Sequence, residues 1–153
     1  MDYTILKAEL TNDPLALGYS TMSDQQAADS LNTVNRTVLA SVIGQERRLD
    51  FSDLATLLTP TEYETARGTL NAAVQSSMLI ADNIKFLEIP KAGGGGLDFG
   101  VPTMQRFLDS IFASQTELRD KPKGFGNVTV SRATELGLGQ MDSPIIQLAR
   151  SQM

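Results

Sequence analysis

The chain has 153 residues, 13 lysines and arginines against 18 aspartates and glutamates, a net charge of −5, and no histidine, cysteine or tryptophan. Without cysteine there is no disulfide, thiolate nucleophile or thiolate metal site, and without histidine there is no Ser-His-Asp triad or ordinary zinc enzyme site. The basic residues are scattered, with Arg47-Arg48 the only adjacent pair, so no direct nucleic-acid binding is expected.

A chain of this length is read most simply as one domain, residues 1–153, able to bury a core without covalent staples. Hydrophobic residues make up 41% and aromatics 6%, a core lean in large side chains that suits a self-contained globular domain and equally one completing its burial against partners. No run of about 20 apolar residues is present, so no membrane span is expected. An acidic second residue and no apolar stretch behind it argue against a signal peptide.

Taken in order, residues 2–10 read as a short helix with Ile5, Leu6 and Leu10 apolar, stopped by Thr11-Asn12-Asp13-Pro14. Ser23 and Gln26 form a capping-box pattern that opens a helix carrying Ala27, Ala28, Leu31 and Val34. Its small alanines suggest close packing against another element. Residues 35–43 are rich in β-branched side chains and fit either a strand or a continued helix. Gly44 breaks them, and a short helix runs from Gln45 or Ser52 to Leu58.

Thr59-Pro60-Thr61-Glu62 is the clearest helix start, with Thr59 as cap and Pro60 at the first helical position. The spacing of Tyr63, Ala66, Leu70, Ala73 and Val74 predicts a helix over 60–77. Residues 78–89 alternate weakly and read as a strand or short hairpin turning at Asp82-Asn83. Residues 91–100 read as a flexible glycine-rich loop. Pro102 starts a helix to Ser114 with Met104, Phe107, Leu108, Ile111 and Phe112 on one face. Thr116–Arg119 adds a turn, 121–126 is a loop, and 128–130 extends briefly. Ser131 caps a short helix ended by Gly137, and Ser143-Pro144 opens a last one. The fold class is therefore mainly α: a small helical bundle with irregular loops and room for one minor strand or hairpin.

The chemistry-bearing patterns are few. Gly93–Gly96 lack the following Lys-Ser/Thr of a phosphate loop and are followed by Asp98. Carboxylates are scattered, and Glu62 and Glu64 fall on different helix faces. Asn12-Asp13 and Asp82-Asn83 do not continue into a calcium loop. No catalytic residue, cofactor or metal ligand is assigned. The candidate interface is the loop residues Lys91, Gly93, Gly94, Gly95, Gly96, Leu97 and Phe99, together with the termini.

Two motifs carry a resemblance. Leu6-Lys7-Ala8-Glu9-Leu10-Thr11-Asn12-Asp13-Pro14-Leu15-Ala16-Leu17-Gly18-Tyr19 is followed by Met22-Ser23-Asp24 and by Ala27-Ala28-Asp29-Ser30-Leu31-Asn32. Near the other end stands Ser131-Arg132-Ala133-Thr134-Glu135-Leu136-Gly137-Leu138-Gly139. Together these resemble a family of small proteins encoded in the structural gene modules of tailed bacteriophages. The resemblance implies a virion or virion-assembly component and leaves its location open. The first reading is a non-enzymatic head–tail junction adaptor, whose partners are other virion proteins in a symmetric ring or repeated array; cement and tail-associated roles are the others. The alternative is a non-virion phage factor that binds a host protein or assists assembly. An enzyme is the weakest reading, because its usual side chains are missing. Within the first motif, Asn12-Asp13-Pro14 is expected to form a corner that Leu15, Leu17 and Tyr19 anchor and Gly18 permits.

Overall fold

A computed structural model describes residues 3–153; Asp2, where the first helix was expected to begin, lies outside them. The fold is mainly α, with nine α-helices and two two-stranded sheets among the described residues. The chain divides into two compact units. One is built from both ends of the chain, up to Val38 and again from Thr129 to Met153; the other is the continuous segment Leu39–Val128.

In the first unit, α1 (Tyr3–Asn12) turns Leu6, Glu9 and Leu10 inward and leaves Ile5 largely exposed. The expected corner follows, held by a single carboxylate. Asp13 accepts the backbone N–H groups of Leu17 at 2.7 Å and Gly18 at 2.6 Å. Such a short side chain substitutes for backbone partners where no helix or sheet supplies them. Gly18 has φ of +85°, a conformation that costs glycine nothing. Of the three expected anchors only Tyr19 is fully buried, while Leu15 is half-buried and Leu17 exposed.

Ser23 and Gln26 then make the predicted capping box of α2 (Asp24–Asn32). Ala27 and Ala28 are buried where α2 packs on α8 (Arg132–Glu135) and α9 (Ser143–Ser151). Residues 34–39 resolve the open choice as strand β1 (Val34–Leu39), which pairs with β4 (Asn127–Ser131). The core of this unit contains Leu6, Leu10, Tyr19, Leu31, Leu138 and Ile146. Polar clamps close it. Asn32 exchanges side-chain hydrogen bonds with the Met141 backbone at 2.7 and 2.9 Å. The Arg150 guanidinium donates to the carbonyls of Tyr19 and Met22 and to the Asp24 carboxylate.

The second unit holds β2 (Arg48–Leu49), α3 (Phe51–Leu57), α4 (Pro60–Val74), α5 (Met78–Glu88), β3 (Leu97–Asp98), α6 (Pro102–Ile111) and α7 (Thr116–Phe125). β2 and β3 pair antiparallel, Arg48 opposite Asp98 and Leu49 opposite Leu97. The core gathers Leu49, Phe51, Leu54, Leu70, Ile84, Leu87, Phe99, Met104, Leu108 and Phe112 among others. Thr59, Pro60 and Glu62 start α4 as expected, although the helix ends at Val74. Met104, Leu108 and Phe112 are buried and Phe107 and Ile111 pack against them, so that stripe is core.

Two expectations are overturned here. Residues 78–88 are a helix, not a strand or hairpin. The inward residues Ile80, Ile84 and Leu87 follow helical spacing, while exposed Met78 and Phe86 supplied the apparent alternation. Residues 121–125 are not a loop but the second half of α7, despite the internal Pro122. An interior proline removes a helix hydrogen bond and costs about 3 kcal/mol. Here Pro122 and Leu118, one turn apart, are both buried, and that shared burial offsets the cost.

Candidate functional site

The loop read as an interface begins where α5 ends. Gly96 donates its backbone N–H to the Phe86 carbonyl at 2.7 Å, closing the last turn of the helix. Gly93 and Gly95 donate to the Pro90 carbonyl at 2.8 and 3.2 Å. A Cβ at Gly95 would lie inside contact distance of the Ile89 carbonyl, so glycine is required there by space rather than by mobility. The run is thus a hydrogen-bonded C-terminal cap.

Lys91 sits beside the start of α3. Its backbone N–H donates to the Asp50 carboxylate at 2.9 Å and its Nζ to Asp53 at 2.7 Å. Asp50 also caps α3 by accepting the Asp53 N–H at 3.0 Å. The Lys91 N–H and then the Asp53 N–H hold the Asp50 carboxyl below its ordinary range, because each bond favours the ionised form. The seven candidate residues therefore divide. Lys91, Gly93 and Gly94 are exposed, whereas Gly95, Gly96, Leu97 and Phe99 are buried. Leu97 of β3 and Phe99 just after it, whose N–H donates to the Arg47 carbonyl at 2.9 Å, belong to the core and have no side-chain surface to offer a partner.

What the loop residues do not supply, α5 does. Met78, Leu79, Phe86 and Ile89 are exposed at 85%, 70%, 51% and 44%. Met78, Leu79 and Phe86 lie on the side of α5 opposite buried Ile84 and Leu87, and Ile89 is the extended residue that ends the helix. Among them run Asp82 and Lys85, an exposed ion pair at 3.2 Å. The strand reading concealed this face, since only a helical period separates these side chains from the inward ones. Reading 78–89 at a period of 3.6 would have revealed it.

A second arrangement, in the other unit, joins the two motifs. The Arg132 guanidinium grips Glu9 with two bonds, 2.9 Å to Oε1 and 2.7 Å to Oε2, across 123 residues of chain. Arg132 also reaches Glu135 at 3.0 Å, and Arg36 donates to Glu135 at 2.6 Å. Glu9 and Arg132 are almost wholly buried. Burial pushes the Glu135 carboxyl up, but bonds from Arg36 and Arg132 outweigh it and hold it below the usual range. The Tyr19 phenol is pushed up to about 12 by burial and by the nearby Glu9 and Asp13 charges. Glu9 and Glu135 face Arg132 and Arg36, so these four groups balance in charge.

Among the described residues no group of three or more His, Cys, Asp or Glu is placed to hold a metal ion, and no helix is long and apolar enough to cross a membrane. An open depression lined by Thr61, Glu62, Thr65 and Gln115–Leu118 contains one strongly perturbed acid. Glu62 is lowered to about 2, first by Lys121 and then by the Thr59 N–H. Lys121 donates to both its oxygens at 2.6 and 2.7 Å. That carboxylate is committed to a cap and an ion pair. No family model, curated protein or solved structure matches this chain.

Proposed function

We propose that this chain is a non-enzymatic structural component of a tailed-bacteriophage virion, built in the host cytoplasm and acting at the head–tail junction. Its partners are other virion proteins, and its copies repeat around the particle by rotational symmetry. The observation that carries this reading is the meeting of the two resembling motifs. Glu9 of the first and Arg132 of the second form the buried fork. Leu6, Leu10 and Tyr19 share a core with Ala133 and Leu138. The two segments that carry the resemblance, at opposite ends of the chain, pack together in one folded unit, which supports reading them as one motif pair. Those motif residues are committed to the interior, so contacts with other virion proteins fall to the exposed surface elsewhere, including Lys91, Gly93 and Gly94.

The test is deletion with a particle readout. Removing Gly93 and Gly94, the exposed part of the loop, should lower the yield of intact, infectious particles while the protein still folds by circular dichroism. Unchanged yield and infectivity would count against this loop as a contact. A chain that is made but absent from finished particles would overturn the virion reading and leave the transient assembly factor.

A further inference from the structure

We propose that a second copy of this chain docks on the outer face of α5, the two helices running antiparallel about a two-fold axis. The inference stands apart from the phage reading and rests on the register of the exposed side chains. Met78, Asp82 and Lys85 of α5 and Ile89, the extended residue that ends the helix, follow one another at intervals of four, three and four, the spacing of a coiled-coil seam. All four are exposed. Leu79 and Phe86, seven residues apart, flank the seam on one side.

The seam is complementary to its own reverse. In an antiparallel pair centred between Asn83 and Ile84, Met78 of one copy meets Ile89 of the other at both ends. In the middle, Asp82 of each copy meets Lys85 of the other. The flank places Leu79 near Phe86. A parallel pair would instead set Asp82 against Asp82 and Lys85 against Lys85, and facing like charges are repulsive. Four large apolar side chains are thus covered while each seam charge, already paired within its own helix, gains a second opposite partner across the interface. Such a two-fold contact uses the same patch on both subunits and closes on itself, so it is distinct from head-to-tail contacts that close a ring. One helix pair about 16 Å long is small beside a standard interface of roughly 1,600 Å², so the contact alone is weak and strengthens where copies are held close.

Charge exchange tests it. Sedimentation equilibrium of the full chain from 10 µM to 1 mM, roughly the range expected of a weak interface, should show a monomer–dimer equilibrium. Asp82→Lys alone puts lysines opposite lysines, and Lys85→Asp alone puts acids opposite acids. Each variant should weaken self-association at least tenfold at low salt. An equimolar mixture of the two should restore a mixed dimer, since one copy then carries two lysines and the other two acids. Both positions are exposed, and melting curves verify that each variant folds. Wild-type protein that stays monomeric throughout, or a dimer indifferent to the single reversals, overturns the proposal. A cysteine pair distinguishes direction, because the chain has none of its own. Met78→Cys mixed with Ile89→Cys should form a disulfide-linked dimer more readily than either variant alone, and the reverse ranking overturns the antiparallel register.

Discussion

Arg132 illustrates how much one side chain carries in the unit built from both chain ends. It holds Glu9 by two bonds; Glu9 is buried and Arg132 mostly so. Removing the guanidinium strands a carboxylate in the interior, and breaking a buried pair in this way costs about 3–5 kcal/mol. Arg132→Ala should lower stability by about 3 kcal/mol or more in urea unfolding; a loss under about 1 kcal/mol would show that Glu9 finds water or another donor. Lysine at 132 should recover only part of the loss, because a single ammonium cannot reproduce the planar fork. At Gly95 the constraint is space. Gly95→Ala drives a methyl against the Ile89 carbonyl, and overpacking of this kind costs about 1–3 kcal/mol. Destabilisation measured by the same unfolding is expected, and an unchanged midpoint would contradict the tight turn.

Glu62 and Thr59 carry the prediction at the scale of the element. Each accepts the other's backbone N–H at the start of α4, and Thr59→Ala should cost about 1 kcal/mol. The Glu62 carboxyl is lowered from an ordinary 4.5 to about 2. A lowered folded-state value means that the contribution is fully present above about pH 4.5 and is lost as pH falls toward 2. Melting temperatures of wild type and Glu62→Gln should therefore differ above pH 5 and converge near pH 2. A constant difference across that range would contradict the pairing with Lys121. The caps of α2, α4 and α8 were all legible from local residue order, because a cap is a contact between neighbours in sequence. So was the buried stripe of α6. The helix at 78–88 was not, because the exposed apolar residues that mark its outer face broke the helical pattern expected of a surface helix. Nor was the second half of α7, where burial of Leu118 and Pro122 overrides what proline does locally. Of the candidate interface, the glycines were visible as a turn, but the burial of Leu97 and Phe99 depends on β2, nearly fifty residues earlier in the chain, and nothing local announces it.

At the scale of the molecule, the two units differ in how the chain builds them. Every buried residue of the second unit's core lies between Leu49 and Leu118. A fragment spanning Leu39–Val128 should therefore fold alone and melt cooperatively by circular dichroism; a fragment without a transition would contradict that independence. The first unit cannot be excised as one stretch, since α9 contributes fully buried Ile146 and Ala149 and Arg150 clamps Tyr19 and Met22. Truncation before Ser143 should unfold this unit. The motifs that resemble a phage structural family both lie in it, which ties the proposed role to its integrity. The most direct test is quantitative mass spectrometry of purified phage particles from the host that produces this chain, scaled to the capsid protein. A fixed low copy number per particle is the predicted result. Its absence from intact particles would contradict the central claim.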